Sequence, residues 1–204
     1  MEPLVKILAK AVPLKQDNLD TDQILPARFL MMPRDEKYKT YLFRDLSHDE
    51  NQAIISSFIL NQEKFSDARI LVAGRNFGCG SSREGAVFAL VDSGFRCVIA
   101  PSFGDIFYNN SFNNGLLPII LEKQHVEELQ NELFLDLNPE LLVDLENQIV
   151  LHKSGFKTTF DIDPHRRERL LRGLDMIGYT QQYLKETEKF EEQYFLSYPW
   201  LSIR

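Results

Sequence analysis

The chain has 204 residues, 23 of them Lys or Arg and 30 Asp or Glu, for a formal net charge of −7. That acidic balance excludes nucleic acid as the main partner, because phosphate contacts need a basic surface. The two cysteines, Cys79 and Cys97, exclude a disulfide framework and are too few to ligate an iron–sulfur cluster. Four scattered histidines (His48, His125, His152, His165) form no HxH or HxxxH pair, so no self-contained zinc site is expected.

Hydrophobic content of 44% with 26% charged residues suits one soluble domain of generous size. The expected setting is a reduced, cytoplasmic one. No membrane association is expected, since no run approaches the roughly 18 apolar residues of a spanning helix. The first 13 residues also lack the apolar core of a signal peptide.

In chain order, residues 4–14 alternate loosely and predict one or two strands. Residues 17–22 crowd Asp, Asn and Thr into a polar turn. Residues 31–50 are charged with little apolar period. They predict a long surface loop with one helical turn near 38–43, mobile in the isolated chain. Periodicity leaves residues 52–61 open between helix and strand.

The middle is sharper. Residues 68–73 (ARILVA) read as a buried strand, and a Gly-rich loop follows from Asn76. Residues 83–93 read as a helix with Ala86, Val87, Leu90 and Val91 on one face, stopped at Gly94. Residues 96–100 form the next strand, which completes a βαβ unit. Residues 103–114 predict a second helix and 116–121 a third strand, so the core is a parallel α/β sheet.

After a short helix at 125–133, segments 141–145, 148–153 and 156–160 predict a strand pair or meander, with a hairpin turn at Lys153-Ser154-Gly155. Asp163-Pro164 opens a helix to about Arg172, closed by Gly173. A charged amphipathic helix is predicted over 180–194. The tail's Tyr198 and Trp200 suggest packing on the domain or on a partner. The whole chain, 1–204, is expected to be a single domain with a C-terminal helical extension from about residue 164.

The stretch Gly78-Cys79-Gly80-Ser81-Ser82-Arg83-Glu84-Gly85 carries the most chemistry. Ser81 followed by Glu84 matches a capping box, which predicts Ser81 as the helix N-cap. Free amides, two hydroxyls and the Arg83 guanidinium then meet at a helix N-terminus, a setting that favours an anion. A plain N-cap after a βα turn is the bland alternative. A Walker loop is excluded by the missing Gly-Lys-Ser/Thr, and a dinucleotide fingerprint fits poorly because Arg83 stands where Gly or Ala is needed.

The run Asn76-Phe-Gly-Cys-Gly-Ser-Ser-Arg-Glu84 resembles the signature of the aconitase superfamily's swivelling domain. More narrowly, it resembles that of the isopropylmalate dehydratase small-subunit family. Asn18-Leu-Asp-Thr-Asp-Gln-Ile-Leu-Pro-Ala-Arg-Phe-Leu30 resembles the family's first motif. Ile99-Ala-Pro-Ser-Phe-Gly-Asp-Ile-Phe-Tyr-Asn-Asn110 and Asn114-Gly-Leu-Leu-Pro118 resemble its third. Phe160-Asp-Ile-Asp163 and Gly173-Leu-Asp-Met-Ile-Gly-Tyr-Thr180 are similar to its C-terminal region.

The resemblance implies an α/β fold, a swivelling β/β/α domain with a parallel βαβ core and an added C-terminal strand and helix region. It implies no cofactor on this chain. A [4Fe–4S] cluster would sit on a separate large subunit, where one iron acts as a Lewis acid toward a small hydroxy-dicarboxylate. Ser81 would be the catalytic base, acting as an alkoxide. Ser82 and Arg83 would bind substrate carboxylate, and Arg34 would be a further substrate contact with Arg28 as its competitor. Related readings are a homoaconitase, citraconate or methylmalate hydratase subunit. A non-catalytic anion-binding module is the reading from another class.

Two departures stand out. Gly85 replaces the family's usual histidine, and a glycine in a helix costs roughly 0.5–1 kcal/mol relative to alanine. Residues 31–45 lack the Thr-Arg-Thr-Gly-like loop of isopropylmalate-specific relatives. Among other residues, Cys79 reads as a spacer rather than a nucleophile, and Cys97 as core. Asp22 reads first as a turn former, with orientation of a site partner as the alternative. Tyr108, Asn109 and Asn110 read as surface, and His165 as solvated or interfacial.

Overall fold

A computed structural model describes residues 1–81 and 83–201. In chain order the elements are β1 (Lys6–Leu14), α1 (Thr21–Ile24), α2 (Arg44–Ser47), β2 (Ile70–Ala73), α3 (Glu84–Asp92) and β3 (Cys97–Ala100). There follow α4 (Asp105–Asn113), β4 (Leu117–Ile120), α5 (Lys123–Leu135), β5 (Glu140–Asp144), β6 (Ile149–His152) and β7 (Lys157–Thr159). The chain closes with α6 (Pro164–Arg172), α7 (Met176–Thr180) and α8 (Leu184–Ser197).

The strands form one seven-stranded sheet in the order β4-β3-β2-β1-β5-β6-β7. β1 is a single strand with two kinds of neighbour. Its end, Ala11 to Leu14, pairs parallel with β2, while Lys6 to Lys10 pair antiparallel with β5. β2, β3 and β4 are parallel to one another, and β5, β6 and β7 form the antiparallel meander.

Why the parallel strands are apolar throughout follows from their two covered faces. Leu71, Ala73, Val98 and Ala100 point into one core with Ala86, Val87 and Leu90 of α3 and Phe107 of α4. Ile70, Val72, Cys97 and Ile99 point into a second core with Val126, Leu129 and Leu133 of α5 and Leu170 of α6. A period of two in the strands thus sorts side chains into two layers.

The region 31–50 is less bare than its composition suggests. A 3-10 turn at Tyr38–Tyr41 and the short α2 bury Tyr38, Phe43 and Ser47 against the first core. Residues 52–61 are neither helix nor strand but turns ending in a 3-10 piece, Ile59–Asn61, whose Asn61 side chain bonds the carbonyls of Ser47 and Ile55.

α6 is capped by Asp163, whose carboxylate accepts from the Arg166 amide, and closed by Gly173. α8 buries no residue. Tyr194 near its end packs on Tyr198, and Tyr198 on Trp200, in the segment that follows it. Among the described residues no helix is long and apolar enough to cross a membrane.

Candidate active-site edge

The loop after β2 is the middle strip of a three-strip surface. On one side it joins the first motif: Asn18 N donates to Arg75 O (2.8 Å), Gly78 N to Leu19 O (2.8 Å) and Thr21 N to Cys79 O (2.9 Å). On the other it joins the third motif: Phe77 N donates to Ser102 O (3.0 Å) and Gly104 N to Phe77 O (2.9 Å). Three stretches far apart in sequence are therefore stitched edge to edge at the carboxyl ends of β1, β2 and β3, the end of a parallel sheet where ligands usually bind.

Phe77, Phe103 and Phe107 form the floor of this strip, with ring centroids 5.3–6.3 Å apart. Gly78 lies directly on that floor. Its φ is +70°, and a Cβ there would stand 2.3 Å from the Phe107 ring. Only glycine meets both the left-handed backbone and the close approach.

Ser81 is exposed at the end of the strip, and its carbonyl accepts from Thr21 Oγ1 (3.2 Å). Among the described residues no side chain hydrogen-bonds its hydroxyl. Ser81 is not the N-cap of α3. The backbone is extended at Arg83 (φ −126°, ψ 96°), which takes the N-cap position without a side-chain bond. The Ser81–Glu84 capping box is therefore absent, and Glu84 instead accepts from Asn114 Nδ2 (2.8 Å). The capping box in this region belongs to α1, between Asp20 and Gln23.

Arg83 is held by one ion pair. Its side chain is 18% exposed, and Nη1 forms an ion pair with Asp22 Oδ1, though without the alignment of a hydrogen bond. Asp22 Oδ1 also accepts from Ala27 N (3.2 Å). Asp22 thus holds the guanidinium as well as the turn. The signal for that role was the Thr21-Asp22 pair inside a motif, since Thr21 holds Ser81 and Asp22 holds Arg83.

Ser82 lies outside the described residues. Arg34 is not brought to this group. Its guanidinium bonds both carboxylate oxygens of Asp92 (2.7 Å each) and stacks over Phe88, 4.2 Å from the ring centroid. That places it at the far end of α3, about 12 Å along the helix from its start. A bidentate carboxylate partner and an aromatic face together outcompete the open loop. The competitor Arg28 is held likewise, on Asp45 and over Phe29.

Gly85 has a local reason. A Cβ there would stand 2.9 Å from both Leu25 Cδ2 and the Tyr38 hydroxyl. Tyr38 fills the space a side chain would take, and burial raises its phenol above the usual value. Cys79 is partly buried, and burial followed by the Asp20 carboxylate pushes its thiol up, which disfavours a thiolate nucleophile.

Cys97 lies in the core on β3, and among the described residues no three His, Cys, Asp or Glu side chains cluster as metal ligands. The residues present do not fit an iron–sulfur cluster. The edge offers instead an exposed hydroxyl and an anchored guanidinium at the start of a helix, a pair suited to an oxyanion and a carboxylate.

The family comparisons agree with this architecture. A family model described as the aconitase C-terminal domain matches residues 1–124, which span β1 to the start of α5, so the chain is a domain of that class. A 3-isopropylmalate dehydratase small subunit of Phenylobacterium zucineum is 47% identical over 201 residues, covering 98% of each chain. One from Granulibacter bethesdensis is 46% identical over 200 residues, covering 98% of this chain and 96% of that one. A crystal structure of 3-isopropylmalate dehydratase from Methanocaldococcus jannaschii superposes with a TM-score of 0.65 at 28% identity, covering 90% of this chain and 99% of that one. The chain belongs to the 3-isopropylmalate dehydratase small-subunit family, whose members are subunits of a hydro-lyase.

Proposed function

We propose that this chain supplies the proton-transferring half of a two-subunit active site that interconverts 2-isopropylmalate and 3-isopropylmalate through isopropylmaleate, in leucine biosynthesis in the cytoplasm. The observation that carries this is the exposed Ser81, two residues before an Arg83 fixed by Asp22. Ser81 Oγ, as an alkoxide, takes the proton from carbon while the hydroxyl leaves the neighbouring carbon. Readdition of water with the opposite orientation gives the isomer. Arg83 and the start of α3 stabilise the negative oxygen and hold a substrate carboxylate, with Ser82 as its second contact.

The departing hydroxyl is left to the large subunit, which carries the [4Fe–4S] cluster in this reading. The exposed aromatics of α8 suit a partner surface. Arg34 becomes a substrate contact only if its pair with Asp92 opens.

Reconstitution tests the proposal. The chain is mixed with its large subunit, the cluster is rebuilt anaerobically, and absorbance of the unsaturated acid is followed. Turnover of isopropylmalate by wild type but not by Ser81→Ala is expected. Unchanged turnover in Ser81→Ala overturns the base assignment. Preference for homocitrate or methylmalate analogues overturns the substrate assignment alone.

A further inference from the structure

A cavity of about 400 Å³ lies between α4, α6 and α7, and none of its lining residues belongs to the Ser81 loop. Its base is Arg169, a residue only 7% exposed. Arg169 Nη2 donates to Asn113 Oδ1 (3.1 Å), but its Nε is buried with no partner. Arg166, one turn earlier on the same face of α6, donates to Asn109 Oδ1 (2.8 Å) and lies over the rings of Tyr108 and Phe112. Neither arginine has a carboxylate within ion-pair distance among the described residues.

The missing counter-ion is unusual in a chain with 30 acidic residues. A buried guanidinium is costly unless paired, and two on one helix face repel each other as well. The nearest acid on the cavity wall, Asp163, is engaged in capping α6 through the Arg166 amide (3.0 Å). Asn109 and Asn113 accept with their side-chain oxygens and keep their amide nitrogens for a ligand, while the Tyr179 hydroxyl is already bonded to His165 Nδ1 (3.2 Å). Met176 and Phe112 make the rest of the wall apolar.

We propose that this cavity is a second anion site, which binds a carboxylate carrying a short alkyl group through Arg166 and Arg169. The fork geometry of two guanidinia suits a planar carboxylate, and the apolar wall takes the alkyl part. The carboxylate comes either from a small organic acid or from an Asp or Glu side chain of the large subunit.

The test uses the full chain with ¹⁵N-labelled arginine. The Nε–H signals of Arg166 and Arg169 are followed while sodium 3-methylbutanoate is added at constant ionic strength. A saturable shift of both signals, kept in Arg83→Gln and, read on Arg169 alone, weakened at least tenfold in Arg166→Gln, is expected for a small-acid site. Retention in Arg83→Gln separates this result from the fate of the Ser81 reading.

In the second arm, affinity for the large subunit is measured by calorimetry. A loss of at least tenfold in Arg166→Gln, with no response to the free acid, assigns the carboxylate to the partner. No saturable shift together with unchanged affinity overturns the proposal. So does a drift that sodium chloride alone reproduces.

Discussion

The two halves of the sheet share one strand and behave differently. The parallel half, β1 to β4, turns its strand ends into three loops that meet as one surface. The antiparallel half, β5 to β7, closes on itself through short turns and leaves no such meeting place. Parallel strands need crossovers, and every crossover returns a loop to the same sheet end. The family model's match, residues 1–124, ends where the parallel half ends. The candidate site thus follows strand direction, while the meander supplies backing.

Variants in the two halves should separate accordingly. The largest effect is expected from Ser81→Ala, which should lower kcat of the reconstituted enzyme by roughly 10²–10⁴-fold. Its thermal midpoint should stay at the wild-type value, because Ser81 is exposed. Gly78→Ala should act differently, costing on the order of 1–3 kcal/mol in urea unfolding, since a Cβ meets the Phe107 ring at positive φ. A wild-type midpoint for Gly78→Ala would show that the aromatic floor yields.

In the antiparallel half, Asp144 should matter for acid stability and not for turnover. Burial alone would raise its carboxyl. Hydrogen bonds from the Asn147 side chain and backbone, then from Lys6, outweigh burial and lower it from 3.8 to about 2. A carboxyl depressed in the folded state stabilises above its unfolded value, and that contribution is lost as pH falls through about 4 toward 2. Unfolding free energy measured across that window should flatten in Asp144→Asn, with kcat unchanged at neutral pH.

A smaller effect should come from Arg34→Gln and Asp92→Asn. If the pair clamps residues 31–41 onto α3, both variants should raise KM equally, by a few-fold. A much larger rise in Arg34→Gln alone would mean that Arg34 leaves Asp92 to reach substrate. The smallest effect is expected from ending the chain at Tyr183, before α8. That helix buries nothing, so the thermal midpoint of the isolated chain should hold.

Regular elements with sharp borders were legible in the sequence. ARILVA read as a buried strand because both its faces are covered, and Asp163-Pro164 with Gly173 marked α6 at both ends. The meander was visible through its alternation and its turn residues. The start of α3 misled, since Ser-x-x-Glu spacing cannot reveal that the loop keeps Arg83 extended for its pairing with Asp22.

Burial of Tyr38 and Phe43 was hidden because irregular turns carry no period. The attachment of Tyr38 to Gly85 links residues that no local pattern connects. Arg34 was read by its distance from a motif, whereas the nearest strong carboxylate and ring decided its place. Ser81 and Arg83 of the candidate edge were thus named from their motif, and the contacts with Thr21 and Asp22 that hold them were not.

β1 has a consequence for the order of events during synthesis. It leaves the ribosome before either of its partner strands, so Ala11 waits for Ile70 and Ile7 waits for Val143. Until the last third of the chain has emerged, a nascent molecule can complete its parallel half while one flank of β1 stays open. Lys6 and Lys10 stand on that flank, and charged lysines discourage a strand edge from recruiting a neighbour. The strand that unites the finished sheet is also the one exposed longest while the sheet is being made.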